Sequence, residues 1–195
     1  MTHGLRQSLH SGLGGLRLAC PLLGSGCLWV AILLMIPATG LTEGPAPGRE
    51  TLGPGGGMRI DAHDRCPVCA MLPIRYPRFA AAIERRDART YYFCSPGCML
   101  RAWLQPDLFL GISAELLKRP LVLEYLSGET LDAREVFWVS GSDVVGPMGP
   151  ALVPLKNRTH LEAFRRRHGG QHVFRLKELN HANWEHLTGK QSPNP

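Results

Sequence analysis

The sequence predicts an α+β protein in which a ββαβ order of elements occurs twice, preceded by an N-terminal hydrophobic segment. Short apolar runs bounded by turn residues predict the strands, and two segments with a capping residue before an apolar face predict the helices. The two halves share no sequence identity that we recognise, so the repeat is one of predicted topology. The 195 residues are 44% hydrophobic and 19% charged, which excludes a wholly disordered chain.

The first 38 residues are predicted to be a signal peptide or an N-terminal membrane anchor. Residues 18–38 contain no charged side chain, and about 20 apolar residues span a bilayer as a helix. Because Arg6 and Arg17 precede this stretch, the rest of the chain is expected outside the cytoplasm, at the periplasmic or extracytoplasmic face. It would be either tethered to the inner membrane or exported across it. A lipid anchor at Cys20 or Cys27 is a third alternative, although the preceding residues fit a lipobox poorly.

Residues 39–58 are a predicted linker, because they hold three prolines and end in three consecutive glycines. The folded domain is expected over residues 59–195, with subunits of about 59–127 and 128–195. The arginine run at 165–167 is interpreted as a solvated helix face. An exported domain has little access to nucleic acid, so no nucleic-acid partner is expected.

The first unit begins with two predicted strands at 78–84 and 89–93, which are joined by a turn. Ser95 is a favourable N-cap and Pro96 suits the first helical position, so a helix is predicted over residues 97–105. Residues 120–126 are predicted as the last strand of this unit.

The second unit has predicted strands at 134–140 and 151–154. Asn157 or Thr159 is expected to cap a helix that runs to about His168 and ends at two glycines. A strand is predicted at 171–175, and residues 177–187 are predicted as a final helix.

Four cysteines of the predicted domain form two close pairs, Cys66 with Cys69 and Cys94 with Cys98. Thiolates are soft ligands that select Cu(I), Zn(II) or iron–sulfur clusters. Two cysteines separated by two or three residues can both face one ion. The second pair lies at a predicted strand-to-helix turn, where the helix N-terminus favours the thiolate form.

Three interpretations of these pairs remain open from the residues alone. A structural Zn(II) site of four cysteines fits the spacing, and disulfides fit an oxidising compartment. A soft-metal transfer site is favoured by Met71, because a thioether suits Cu(I) and does little for Zn(II). A thioredoxin-like role is disfavoured, since Pro73 follows the first pair where a helix would have to start.

Two further residues are second-rank candidates for the metal. Met148 lies in a Gly-Pro-Met-Gly turn, where packing under the turn is an equally good interpretation. His168 ends the predicted second helix, where a cation that caps the helix is as good an interpretation as a ligand. His63 is a weaker candidate, three residues before Cys66.

Several spaced motifs together resemble those of the NosL family of nitrous oxide reductase accessory proteins. The first is Asp64-Arg65-Cys66-Pro67-Val68-Cys69-Ala70-Met71, followed by Tyr76-Pro77. The others are Trp138-Val139-Ser140-Gly141-Ser142, Gly146-Pro147-Met148-Gly149-Pro150, Val153-Pro154, and Phe164 with His168-Gly169-Gly170. The resemblance covers about residues 61–176.

The resemblance implies a fold of two related ββαβ units, which is also similar to part of organomercurial lyase. It further implies an exported, membrane-tethered Cu(I)-binding protein that supplies copper to the multicopper centre of nitrous oxide reductase. An ABC-type membrane transporter complex is the second partner that the resemblance implies.

The sequence departs from the family pattern in three places. Ala70 replaces the usual glycine of the Cys-x-x-Cys-Gly-Met motif, a convincing lipobox is missing, and Cys94 and Cys98 are an addition. The added pair resembles that of small TRASH-like metal-trafficking domains. The stoichiometry and the metal therefore stay open between one Cu(I), Cu(I) with Zn(II), and another metal content.

We expect a Cu(I) carrier, with Cys66, Cys69 and Met71 as the primary site and Cys94 and Cys98 close by. The alternatives are a structural Zn(II) interaction module and an organomercurial-lyase-like enzyme, in which Asp64 would donate the proton. No nucleophile elbow, phosphate loop or zinc-protease motif is present, so the chain is not expected to be an enzyme.

Overall fold

The computed structural model describes residues 52–191. The predicted N-terminal segment 1–38 and most of the predicted linker therefore lie outside the described residues. Within residues 52–191, no helix has both the length and the apolar character needed to cross a membrane.

The first unit is a four-stranded antiparallel sheet with one long helix. Its strand order is β2-β1-β3-β4, so the first strand lies in the centre. The turn between β1 and β2 is tight, and Ala88 adopts a positive φ of 66° there. The elements are β1 (Ala81–Arg85), β2 (Thr90–Phe93), α1 (Pro96–Leu104), the short α2 (Pro106–Leu110), β3 (Leu117–Leu123) and β4 (Thr130–Asp132).

The second unit repeats this arrangement with a three-stranded sheet of order β8-β5-β9, again with its first strand in the centre. A small hairpin of two strands is inserted after β5. The elements are β5 (Phe137–Ser142), β6 (Val145–Gly146), β7 (Gly149–Pro150), β8 (Val153–Leu155), α3 (Arg158–His168), β9 (Gly169–Phe174) and α4 (Trp184–Thr188). The predicted doubled ββαβ order is confirmed.

Both long helices begin where the capping residues predict. Ser95 accepts a hydrogen bond from the backbone N–H of Cys98, and Asn157 accepts one from that of His160. Each cap satisfies a backbone donor that the first helical turn leaves without a partner. Helix α1 ends at Leu104 because Pro106 disfavours helical geometry at the residue before it.

The largest apolar cluster joins the two units. Phe93 and Leu100 of the first unit belong to the same buried cluster as Trp138, Phe174 and Trp184 of the second. Neighbouring residues of a strand point to opposite faces of a sheet, and the next residue, Val139, packs instead into a second cluster with Phe164 of α3. Strand β5 is therefore buried on both faces, as its continuous apolar sequence predicts.

A third, smaller cluster covers the other face of the first sheet. Ala82, Tyr92 and Leu121 are buried there, and Leu52 and Met58 pack against them. The backbone N–H of Arg59 donates to the Tyr92 hydroxyl at 3.0 Å. The end of the segment that composition assigned to the linker thus lies against the sheet.

The predicted final helix over 177–187 is wrong. The chain forms a 3-10 turn at Leu176–Glu178, and α4 starts only at Trp184. Asn180 and Asn183 each accept a hydrogen bond from the other's backbone N–H, at 3.1 and 2.8 Å. Such local bonds compete with the helical ladder, which explains the late start. The sequence analysis also missed α2, β4 and the β6–β7 hairpin.

Candidate metal centre

The loop from Cys66 to Met71 closes on itself and holds both ends by backbone hydrogen bonds. The N–H of Ala70 donates to the carbonyl of Cys66 at 2.8 Å, and the N–H of Cys66 donates to the carbonyl of Met71 at 2.9 Å. Ala70 has a φ of 59°, in the left-handed region that favours glycine. This tight turn brings Cys66 and Cys69 to the same side of the loop.

The second cysteine pair lies across the junction between β2 and α1. Cys94 follows the last residue of the strand, and Cys98 lies in the first helical turn. Ser95, the N-cap, holds the backbone of Cys98 by accepting its N–H at 3.2 Å. The Sγ atoms of Cys94 and Cys98 are 3.9 Å apart, so the capped turn places both sulfurs on one side.

The fold brings the two pairs together. All four Sγ atoms lie within 4.8 Å of one another. The Sγ of Cys69 is 3.3 Å from that of Cys94 and 4.0 Å from that of Cys98. None of the four forms a disulfide. Metal–sulfur bonds of about 2.3 Å place the sulfurs of a tetrahedral site about 3.8 Å apart, so this spacing suits one soft metal ion.

Burial differs among the four sulfurs. Cys66, Cys94 and Cys98 are buried within the largest apolar cluster, whereas Cys69 is partly exposed. Three ligands are thus shielded from water, and an approaching group can reach the centre at Cys69.

Hydrogen bonds among the four thiols shift their pKa values in opposite directions. Thiol hydrogen bonds from Cys94 and Cys98 hold the pKa of Cys66 far below its ordinary value. Hydrogen bonds with Cys66 and Cys98 raise the pKa of Cys94, and the bond with Cys66 raises that of Cys98 to about 12. Burial raises the pKa of the Cys69 thiol. The thiolate form is therefore favoured at Cys66, and a metal ion that binds the other sulfurs displaces their protons.

Two predicted methionines lie at different places around this cluster. Met71 is half-buried and packs against the same apolar cluster as the cysteines. Met148 lies between β6 and β7 and is 40% exposed. It lines a cavity of about 280 Å³ that also has Cys98 in its wall.

The structure does not bring the predicted histidines into the sulfur group. His168 ends α3, where its Nδ1 lies 2.8 Å from an Oδ1 of Asp143 and its ring stacks on Phe164. His63 is exposed, and its backbone N–H donates to Asp61. Among residues 52–191, the four cysteines are the only set of three or more Cys, His, Asp or Glu side chains placed to share an ion.

Sequence analysis missed two basic residues beside the sulfurs. Arg101 and Lys190 line the same cavity as Cys98. Arg101 follows Cys98 by three residues on a helix, so its place on the same face could have been deduced. Lys190 follows α4, far along the chain, and no local pattern links it to the cysteines.

Comparison with known proteins agrees with this geometry. The model of the NosL family matches residues 57–184. The copper-binding lipoprotein NosL of Stutzerimonas stutzeri is 30% identical over 165 residues, which cover 82% of each chain. The chain belongs to the NosL family.

A solved member of the NosL family shares the fold. The crystal structure of the copper chaperone NosL from Shewanella denitrificans superposes with a TM-score of 0.54 at 23% identity, over 67% of this chain and 99% of that one. Both NosL relatives carry names that describe copper binding or copper delivery and not catalysis. This agrees with the expectation that the chain is not an enzyme, and it gives no support to the organomercurial-lyase alternative.

Proposed function

We propose that the protein is an exported, membrane-tethered Cu(I) carrier. It delivers copper to a multicopper enzyme, with nitrous oxide reductase as the first candidate, and works beside an ABC-type transporter complex. The observation that carries the proposal is the group of four free sulfurs within 4.8 Å of one another, three of them buried and one partly exposed.

The chemistry of the donor set supports copper as the cargo. Thiolates and thioethers are soft ligands, and Cu(I) accepts both. Cu(I) is satisfied by two or three sulfurs, so a site with four leaves spare donors for exchange. The partial exposure of Cys69 gives a recipient's ligand a direction of approach. Met71 packs against the apolar cluster that holds three of the cysteines, and Met148 lines the same cavity as Cys98, so two thioethers lie in the surroundings of the centre.

The names of two relatives support copper delivery as the role of the protein and the membrane as its location. The Shewanella denitrificans protein is named a copper chaperone, and the Stutzerimonas stutzeri protein a lipoprotein. The uncharged stretch 18–38 of this chain fits an anchored or exported protein. Recipient and transporter are proposed from the family resemblance.

A structural Zn(II) site is the second candidate, because four thiolates in a closed group are also a common zinc ligand set. Zinc held this way would stabilise the domain and would not be passed on. The two candidates differ in whether the ion is displaced by Cu(I) and in how many sulfurs bind it.

X-ray absorption on the reduced full chain in detergent tests the proposal. We expect one Cu(I) per chain with a first shell of two or three sulfurs. The variant Cys20→Ser/Cys27→Ser is the matched control, because it removes the two cysteines outside the described domain and should retain the copper. Tightly held zinc with four sulfurs, unaffected by excess Cu(I), would instead establish the structural site.

A further inference from the structure

The cavity of about 280 Å³ beside Cys98 has the features of a binding pocket for an anion. Val68, in the loop from Cys66 to Met71, and Cys98, in the first turn of α1, line the side of the cavity next to the cysteine cluster. Met148 of the β6–β7 hairpin borders it, and Arg101 and Lys190 supply positive charge. We call this cavity the cationic pocket.

The two cations are fixed in place by main-chain carbonyls. The guanidinium of Arg101 donates to the carbonyl of Gln191 at 2.8 Å and lies over the ring of Trp184, 5.5 Å from its centre. The ammonium of Lys190 donates to the carbonyl of Met148 at 3.0 Å. Carbonyls orient these groups without neutralising their charge.

Two like charges are therefore held near each other at a partly buried place. Burial and the charge of Arg101 lower the pKa of Lys190, and the neighbouring Cys98 opposes this shift. No carboxylate of residues 52–191 forms a salt bridge with either side chain. Such an arrangement is unfavourable by itself and becomes favourable when an anion binds between the two cations.

The size of the cationic pocket limits its occupant. Sites for drug-sized ligands measure roughly 300–1,000 Å³, so this pocket takes a compact molecule or a short piece of a partner chain. The cysteine side of the pocket adds a chemical requirement, because Val68 in its wall precedes Cys69, the partly exposed cysteine of the metal centre.

We propose that the cationic pocket receives a ligand that carries a carboxylate beside a sulfur donor, and that this ligand takes copper from the centre. The carboxylate lies between Arg101 and Lys190, and the sulfur enters the centre at the partly exposed Cys69, which follows Val68 of the pocket wall. The inference rests on the proposed Cu(I) carrier function. Two sources have this chemistry: a small thiol acid, and a cysteine flanked by acidic residues on a protein.

The exchange step is a substitution without change of oxidation state. A bond forms between Cu(I) and the incoming sulfur, and the bond between Cu(I) and the Cys69 sulfur breaks. When the donor arrives as a thiol, its proton passes to the released Cys69 thiolate, so charge and protons balance. Each remaining bond between Cu(I) and a sulfur of the centre is replaced in the same way by a further thiol before the ion leaves. Copper remains Cu(I) throughout.

A charge series of small thiols tests the pocket on the full chain loaded with one Cu(I) under anaerobic conditions. Mercaptosuccinate is anionic, 2-mercaptoethanol neutral and cysteamine cationic. At equal thiolate concentration, we expect mercaptosuccinate to remove copper at least about 10-fold faster than cysteamine, since electrostatic attraction concentrates an anion at a cationic site. Stopped-flow mixing with a Cu(I) indicator gives the rates.

Two variants separate the pocket from the general positive charge of the protein. Lys190→Gln should reduce the preference for mercaptosuccinate by at least about fivefold, since a local charge outweighs a distant one. Lys177→Gln removes the same charge from an exposed position outside the pocket and should leave the preference unchanged. Arg101→Lys keeps the positive charge and should retain most of the preference for mercaptosuccinate.

The outcomes distinguish this inference from the proposed function. A chain that retains no Cu(I) overturns the carrier function itself. A chain that retains Cu(I) but releases it to the three thiols with the same preference in the wild type and in Lys190→Gln overturns the cationic pocket.

A parallel comparison of Glu-Cys-Glu and Gln-Cys-Gln peptides identifies the source of the ligand. A Lys190-dependent preference for the acidic peptide supports a protein, and a preference confined to mercaptosuccinate supports a small thiol.

Discussion

The two units place different chemistry on the same strand-to-helix turn. In the first, Cys94 precedes the N-cap Ser95, and Cys98 follows the cap by three residues. In the second, Lys156 and His160 hold the same positions around Asn157. Both caps have extended backbone geometry and accept the same N–H, so the two turns are equivalent in local structure.

The equivalent positions carry candidate metal ligands in one unit and side chains that contact the other unit in the second. Cys94 and Cys98 join the sulfur group, whereas Lys156 and His160 bind two glutamates that follow strand β3 of the first unit. Glu124 is buried and lies 2.9 Å from the His160 ring; Glu129 lies 3.4 Å from Lys156. A capped turn that places two side chains together can thus hold an ion or fasten a neighbouring unit, depending on the residues it carries.

The largest effect is expected where the first turn loses its sulfurs. Cys94→Ser/Cys98→Ser removes two of the four soft donors, and loss of residues that only support metal ligands already lowers affinity about 10–100-fold. We expect Cu(I) affinity to fall by more than about 100-fold, measured by competition with a Cu(I) chelator. Cys20→Ser/Cys27→Ser is the control and should keep the affinity of the wild type. An affinity of Cys94→Ser/Cys98→Ser within about threefold of the wild type would contradict the proposed centre.

The next effect concerns the second turn. The Glu124 carboxylate accepts hydrogen bonds from the N–H groups of Leu126 and Ser127, from the Ser127 hydroxyl, and contacts His160. Glu124→Ala leaves these groups without their partner in a buried place, so we expect a loss of about 3 kcal/mol in the free energy of unfolding. Urea unfolding measures it. The four cysteines of this variant should still bind copper. If Glu124→Ala loses copper binding as well as stability, the second turn also supports the metal centre.

Acid should weaken this contact in a defined direction. Burial raises the pKa of Glu124, but hydrogen bonds from Ser127 and the contact with His160 outweigh it, so the pKa stays below the ordinary 4.5. A lowered pKa in the folded state contributes stability that is fully present above pH 4.5 and is lost as pH falls through the folded value. We expect the free energy of unfolding to fall by about 1 kcal/mol more in the wild type than in Glu124→Gln between pH 5 and pH 3. Parallel pH curves for the two proteins would contradict this assignment.

The smallest effect tests the loop that faces the first turn. Ala70 has a φ of 59°, and Ala88 has a φ of 66° in the β1–β2 turn, away from the cysteine loop. Left-handed geometry is unfavourable for alanine, so Ala70→Gly and Ala88→Gly should each stabilise the fold by about 0.5–1 kcal/mol. Thermal unfolding measures both. Equal gains indicate that Ala70 affects only the backbone, whereas a change in Cu(I) affinity confined to Ala70→Gly indicates that it also sets the position of Cys69.

Local sequence signals predict local features of this fold well. Ser95 and Asn157 cap the predicted helices because capping depends on residues three apart in the chain. The pairing of β1 with β2 also follows, since the two strands are joined by a short predicted turn. The late start of α4 was missed because two asparagines there form hydrogen bonds that the apolar pattern does not reveal.

The candidate site can be predicted from the sequence only in part, because several of its contacts join residues that are far apart in the chain. Each cysteine pair is visible in its own spacing, but a spacing of 24 residues does not determine that the pairs meet at one point. Lys190 reaches the cavity because α4 packs against the core through Trp184, a long-range contact. The family motif that includes His168 does not reveal that this histidine pairs with Asp143.

Three of the cysteines belong to the same apolar cluster as Phe93, Leu100 and Trp138. The bulk of that cluster is hydrocarbon, whose burial stabilises a domain whether or not sulfur is coordinated. We therefore expect folding and metal binding to be separate equilibria, in contrast to a zinc finger, which unfolds when it loses its ion. Under the proposed carrier function, we expect the domain to keep its fold each time the ion leaves and returns.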